Sequence, residues 1–502
     1  MKAGWLNRVF SAGADDYRLV AWVFLRLLGL IYVAAFASLA VQVLALAGSQ
    51  GIYPIAEQLQ QASLEHGALS LLAYPSVFWL ASADWTLLAV AWSGALLGLL
   101  LTLWPWIGGN RDRWWGNRGW GERILLILLY LLYLSLVHAG QYFTHFQWDN
   151  LLLEAGLLAI LLPGGTRLVV WLFRWLLFRL RFESGLSKLI SGDLSWRDLS
   201  ALSHYFETQP LPHQGAWYAH QLPDWLLRAG TGGTLFVELV VPFFIFLPRP
   251  WRLFAAAVTV LWQVLIIATS NHNFFNLLTI VLCLFLLDDR ALGPWMPSSW
   301  RRRADTSPLL PQHPEKAVAA AVLAIALVVV PASLVTAGEL VLRRPVPTLS
   351  GWVQWVNRFF VANRYHVFPE VRGERIEVQI EASADGEQWT PLDFRYRPDD
   401  PRQAPAFIIP HQPRLDWMLW FVPMNPAFLD LFDRFLVRLT EGSPTVTALL
   451  AHPPLEQGPP RLLRMRVYRY RFTTPQERAD TGDWWHRSDL GPFYPLPVVE
   501  RP

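Results

Sequence analysis

The chain has 502 residues, of which 53% are hydrophobic and only 16% charged, against roughly a quarter charged in a soluble protein. That deficit excludes a string of ordinary soluble domains, and the net charge of +3 does not mark a nucleic-acid binder, because the basic residues cluster in short loops beside apolar runs. The single cysteine, Cys283, lies inside an apolar run, which excludes an intramolecular disulfide.

A helix needs about 20 apolar residues to cross the hydrocarbon core. In chain order, the strong candidates are 20–46, 84–104, 122–142, 231–248, 251–269 and 316–338, with a shorter run at 273–287. The first run is too long for the apolar core of a signal peptide and reads as a retained anchor. Between 150 and 180, Leu162-Pro-Gly-Gly165 predicts a turn that splits the stretch into short helices at 150–162 and 166–180, a re-entrant or tilted hairpin. The expectation is therefore a polytopic α-helical membrane bundle of about nine segments, partnered by the lipid bilayer. Tryptophan, present in 27 copies, marks the edges of these runs at Trp85, Trp104, Trp106, Trp114, Trp115, Trp120, Trp251 and Trp295, as its amphipathic ring favours the headgroup region.

Loop charge orients the bundle. Basic residues fill the N-terminal arm (Lys2, Arg8, Arg18), the loop with Arg111, Arg113, Arg118 and Arg123, the turn at Arg249 and Arg252, and the loop with Arg290, Arg301, Arg302, Arg303 and Lys316. Residues 48–83 contain no Lys or Arg, and 182–230 carries nearly balanced charge. With a cytoplasmic N-terminus and the 150–180 pair passing in and out, all four basic loops share one side and the C-terminal domain lies opposite. Two domains follow: a bundle over 1–344 with an extracytoplasmic loop region at about 182–230, and a mainly β, sandwich-like soluble domain over 345–502.

Within the second domain, residues 375–383 alternate apolar and polar positions, and Asp385-Gly386 is a hairpin signal. Trp389 and Phe394-Arg-Tyr-Arg397 are expected as the returning strand. A later strand, 464–472, changes alternation phase between Val467 and Tyr468, the signature of a bulge. A helical insertion is expected at 426–440.

Polar groups at membrane depth demand an explanation. His138, Gln141, Tyr142, His145 and Asp149 recur at three- and four-residue steps and would share one helix face, facing the bundle interior or simply solvated at the helix end. Glu154, between apolar runs, calls for a buried Lys or Arg partner. Lys188 closes an apolar helix near Glu183 and Asp193. It is either a snorkelling cation or a desolvated base. Further on, His204, Glu207 and His220 belong to a loop dense in hydrogen-bonding groups, a binding candidate or a packed surface. Asn271, His272, Asn273 and Asn276 form a similar break on the same face. In the soluble domain, His411, Arg414, Asp416 and Trp417 are docking candidates, with a local Arg414–Asp416 pair as the alternative. The sequence has no Gly-x-Ser-x-Gly elbow, no His-Glu-x-x-His and no nucleotide-binding glycine pattern, and His204, His213 and His220 are spaced too loosely for a metal. No metal or cofactor is expected.

Phe146-Gln-Trp-Asp-Asn-Leu-Leu-Leu-Glu154, Phe182 to Trp196, His204 to Pro212, Trp217 to Pro223, Asn273 to Thr279 and Pro410 to Trp417 together resemble the lipase maturation factor family. The resemblance implies a multi-spanning protein that assists folding and assembly of secreted lipases, held in the endoplasmic reticulum membrane of animals, or in the cytoplasmic membrane of a bacterium. It implies a lipase-like client bound by the outward domain and residues 182–230. More distantly, Gly185-Leu-Ser-Lys188-Leu with Asp193 and Trp196 is similar to a segment of the vitamin K-dependent carboxylase superfamily. That likeness implies a competing enzyme, an oxidoreductase or carboxylase using Lys188 and a quinone-type lipid, although the second basic position of that segment is Ser187 here.

Overall fold

The computed structural model describes residues 17–107, 119–452 and 458–493. Lys2, Arg8, Arg111, Arg113, Trp114, Trp115 and Arg118, which entered the charge and tryptophan readings, lie outside the described residues. Six described helices are long and apolar enough to cross a membrane: Arg18–Ala40, Asp84–Ile107, Trp120–Phe143, Asp224–Phe246, Arg249–Thr269 and Lys316–Leu342. Phe275–Leu286 is a shorter apolar helix. The split pair also exists, as Gln147–Ala159 and Arg167–Ile190. Gly164 turns the chain between them with φ of 68°, and the Thr166 side chain caps the second helix. With these, the described residues hold six full-length spans and three shorter segments, in keeping with a bundle of about nine, and the chain is an integral membrane protein.

The pair is the interior of the bundle. Arg167–Ile190 carries Arg167, Arg174, Arg179, Arg181, Glu183 and Lys188, too many charges to face lipid. Its partner helix, the surrounding helices and the segment after the last span supply partners for most of those charges. Arg174, for example, donates to Phe285 O at 3.0 Å and to Tyr17 Oη at 2.6 Å. Elsewhere the contacts are apolar and close. Arg18–Ala40 and Asp84–Ile107 cross at Gly29 and Gly98, where a Cβ on either glycine would lie 2.7 or 2.9 Å from the other's carbonyl oxygen. Small residues at a crossing are how membrane helices gain packing without a hydrophobic driving force.

The bundle has two unlike ends. At one, Arg18 donates to Asp305 O at 3.0 Å, Arg123 to Pro163 O at 2.5 Å, and Arg249 pairs with Asp288 at 2.6 Å. The described members of the basic loops therefore meet there, as loop charge predicts. Exposed Trp106, Trp120, Trp251 and Trp295 ring this end, while Trp85, Trp225, Trp352 and Trp355 are exposed toward the other, the two belts expected at two membrane interfaces.

The second end carries the C-terminal region. Its sheet is antiparallel, with β1 (Arg375–Ser383), β2 (Thr390–Pro391), β3 (Leu462–Phe472) and β4 (Trp485–Pro492) in the order β2-β1-β3-β4. The β3–β4 register shifts between Val467 and Tyr468, where the alternation changes phase. Among the described residues this is one sheet, and helices fill the layer that a second sheet would occupy in a sandwich. Val378, Ile380, Leu463 and Met465 pack on Leu415, Leu431, Phe435 and Leu439 of the helices Arg414–Leu419 and Leu429–Thr440. Ala45, Leu46, Tyr53 and Phe143 of the bundle join the same core, so the domain is seated directly on the bundle. Phe394–Arg397, expected as a returning strand, contributes only a bridge from Phe394 to Leu450; Arg395 and Arg397 turn away to bond carbonyls and carboxylates instead.

Candidate functional site

Most of the residues singled out from the sequence lie at the seam between bundle and domain, and they hold it together. Residues 363–371, which lead from the last span to β1, run beside Arg167–Ile190 and are gripped along their length. Glu154 pairs with Arg179, accepts from Asn363 N at 3.3 Å and accepts from Tyr365 Oη at 3.0 Å. Arg179 donates to Asn363 O at 3.0 Å. Glu183 accepts from Tyr365 N at 2.9 Å, Ser184 Oγ from Val367 N at 3.2 Å, and Asp193 from Val371 N at 2.7 Å.

Lys188 belongs to this ladder. It is 3% exposed, so it does not snorkel. Its ammonium donates to Val367 O at 2.7 Å and Ser184 O at 3.4 Å, and pairs with Glu238 at 2.8 Å. Arg181 shares that carboxylate at 3.4 Å. Three donors with three partners leave an ammonium with nothing to offer a substrate. The geometry does not favour the enzyme reading.

The polar stripe from His138 to Asp149 is not one helix face. The helix ends at Gly140, Gln141 adopts φ of 47°, and a new helix begins at Gln147. The side chains diverge accordingly. His138 bonds the carbonyl of Arg358 at 3.0 Å and His145 lies against Phe360. Asp149, fully buried, receives both arms of Arg414 at 2.7 and 2.8 Å and the Tyr133 hydroxyl at 2.6 Å. Arg414 therefore does not pair with Asp416. It reaches across the seam because Arg414–Leu419 is helical and points Arg414 and Asp416 apart. Around it, His411 Nδ1 shares a hydrogen bond with Ser38 Oγ at 2.9 Å, and Gln42 accepts from Arg414 N at 2.9 Å. Asn271 and Asn273 bond Ala406 O at 2.8 Å and Gln412 at 2.9 Å. The run His411–Trp417 docks, and its partner is this chain's own bundle.

Asp416 accepts from Tyr396 N at 3.1 Å. Burial pushes its carboxyl up to about 7, and burial pushes Asp399 up to about 6. His411 moves the other way, to about 4, through burial and the nearby Arg414.

Residues 182–230 are helical rather than a loop, as the end of Arg167–Ile190 followed by Ala201–Thr208, Gln214–His220 and the start of Asp224–Leu239. They brace the sheet. Glu207 accepts from Phe472 N at 3.1 Å and lies 3.6 Å from His220. Trp217 donates to Thr473 O at 2.9 Å, and buried Arg375 collects the carbonyls of Glu207 and Pro210 at 3.0 and 2.9 Å. His204 is half-buried on the same helix as Glu207.

Among the openings at the seam is a cleft of about 390 Å³. Its walls are aromatic. Trp148 stacks on Phe146 at 4.7 Å and meets Trp417 edge-on at 5.1 Å, while Phe368 stacks on His272 at 5.2 Å. Trp420, Phe421 and Met424 complete it, and His366, Glu370 and Arg372 stand at the polar side. Of these, Trp417 and His272 were singled out from the sequence. The density of Trp417, Trp420, Phe421 and Phe428 in one short run was the available signal. Phe368 comes from a distant segment and left none. Arg179, Glu238, Asn363 and Tyr365, the partners of the ladder, were missed for the same reason.

Comparison with known proteins gives a consistent result. The family model described as the lipase maturation factor transmembrane domain matches residues 19–294, and that of the lipase maturation factor C-terminal domain matches 361–495. The chain is 34% identical to lipase maturation factor 1 of Bos taurus, over 96% of this chain and 89% of that protein. It is 31% identical to lipase maturation factor 2 of Xenopus laevis, over 97% and 83%, and 32% identical to lipase maturation factor 1 of Homo sapiens, over 95% and 88%. No solved structure matches the chain.

Proposed function

The chain belongs to the lipase maturation factor family, and from that premise we propose that it assists maturation of an exported lipase-like client by holding an apolar segment of it in the aromatic cleft at the seam. The observation that carries this reading is the cleft. It is the aromatic-lined opening between two bodies locked together by buried charge, next to the membrane through which such a client passes. A folding helper needs a surface that accepts apolar side chains reversibly and does not deform. Broad rings supply contact area at low entropic cost, and the ladder and the Asp149–Arg414 pair fix their spacing. Lys188, Glu183, Asp193, Glu207 and His220 act as positioning residues for that surface.

Under this reading the domain end faces away from the cytoplasm, since the basic loops mark the opposite end. Cys283 is buried, so a cysteine introduced at exposed Leu490 reports the side cleanly. With the full chain expressed in a bacterial host, labelling by an impermeant maleimide in intact spheroplasts is expected; labelling only after their lysis would overturn the orientation. For the function, co-expression of the full chain with a secreted lipase should raise the yield of active enzyme. Trp420→Asp, at a half-exposed wall position, should abolish that gain while the protein still elutes as the wild type does. A lipase yield indifferent to the whole chain would end the proposal.

A further inference from the structure

Beyond the last span the chain does not leave the bundle at once. Lys316–Leu342 ends at Arg343, which turns the chain with φ of 51°, and Pro347–Asn357 runs back along the span. Val353 packs near Ala332, and Val356 near Val329. The carbonyls of Arg358 and Phe359 then receive His138 and Tyr130 from inside the bundle. The returning helix shows Leu349, Trp352 and Trp355 outward, each 41–49% exposed. These three positions fall on one face at three-residue steps. An apolar, tryptophan-bearing face beside a span is a face for lipid.

Above this face opens a second cleft, of about 610 Å³, lined by Ser187, Glu339, Arg343, Arg344, Arg364 and Glu370 among others. Glu339 is committed, to Arg364 at 3.1 Å and Ser350 Oγ at 2.6 Å. Arg343 and Arg344 are exposed and pair with no carboxylate among the described residues. Two arginines at the exit of a span, on the end opposite the basic loops, run against the charge asymmetry of the rest of the bundle. Set against Glu370, they leave one net positive charge in the cleft, which matches the single negative charge of a phosphodiester.

We propose that this cleft binds the phosphate of a membrane phospholipid headgroup, with Arg343 and Arg344 as its donors and the Leu349–Trp352–Trp355 face against the acyl chains. Guanidinium forks suit phosphate oxygens. The position at the exit of a span puts them at headgroup depth, and the apolar face below continues the path of the tails. A free phosphate would use the arginines and ignore the face. That difference makes the source testable.

The full chain, purified in mild detergent, is examined by native mass spectrometry for retained phospholipid, with phosphatidylglycerol then added back. Wild type should retain phospholipid. The double variant Arg343→Gln/Arg344→Gln should bind about tenfold more weakly, the effect of losing one or two charge-assisted contacts. Arg343→Lys/Arg344→Lys should recover most of the binding, and Arg402→Gln, an exposed position outside this cleft that faces Asp483, should change nothing. Displacement of the lipid by inorganic phosphate alone would reassign the cleft to a free anion, and equal retention by the double glutamine variant would remove the site. A change in lipase yield without a change in lipid retention bears on the client cleft and not on this one.

Discussion

At the seam, Asp149 and Arg414 meet at 2.7 Å with side chains 0% and 1% exposed. On the sheet, Arg471 and Glu477 meet at 2.6 Å with side chains 44% and 39% exposed. The distances are alike and the consequences are not. Water screens the second pair and would replace either partner at little cost. Nothing replaces a partner of the first, because the surviving charge would stay buried and alone. The same contrast separates the Glu154–Arg179 and Lys188–Glu238 ladder from the exposed pairs Arg466–Asp489 and Arg228–Asp224. Geometry at the seam is thus fixed by pairs that are costly to break, while the sheet surface is free to vary.

Breaking the seam pair should have the largest effect. Arg414→Ala is expected to destabilise docking of the domain by about 3–5 kcal/mol, read as protease sensitivity of residues after 345 in detergent. Asp149→Leu combined with Arg414→Met should recover most of that loss, since the penalty is the orphaned charge. Recovery no better than the single variant would mean the pair contributes something other than charge balance. Lys188→Met should cost less, about 1–3 kcal/mol, because Arg181 remains beside Glu238. Its effect on lipase yield should scale with the folded fraction alone, and a full loss of function in well-folded protein would reopen a chemical role.

Asp416 sharpens the comparison from the opposite direction, as a buried carboxyl with no cation at hydrogen-bonding distance among the described residues. Its folded value, about 7, lies above the unfolded 3.8, so between these values the folded state holds a proton that the unfolded chain has lost. Its contribution is complete below about pH 4 and disappears as pH rises through about 7. Asp416→Asn should therefore stabilise the domain at pH 8, by on the order of a few kcal/mol, and make little difference at pH 4. Thermal unfolding at the two pH values measures it; equal shifts at both would refute the sign. The smallest effect belongs to the exposed pair. Arg471→Ala should cost less than about 1 kcal/mol, and a larger loss would erase the distinction between the two regions.

Much of this architecture was legible from residues 1–342, because lipid imposes a length and an apolarity that a single sequence displays. The split at Pro163-Gly164, the bulge at Val467 and the helix after Pro426 were readable as local chemistry. Glu154 announced that it needed a cation. Which cation, Arg179 twenty-five residues on, was not announced, nor was the reach of Arg414 back to Asp149 across 265 positions. Local pairing made Asp416 look like the natural partner, and helical geometry overruled it. The second sheet of a sandwich was expected because strands imply a covering layer, and helices can supply that layer equally well. The cleft was the least legible feature, since its walls come from four separated segments and only one of them, at Trp417, carried an aromatic signal of its own.

On the function proposed above, the polar residues hold the seam and the aromatic cleft receives the client. A photoreactive benzoylphenylalanine at Trp420, in cells secreting a lipase, tests it most directly. Light-dependent adducts between the full chain and the lipase are expected at Trp420 and absent at exposed Leu490. Adducts at Leu490 with none at Trp420, in protein that remains folded, would contradict it.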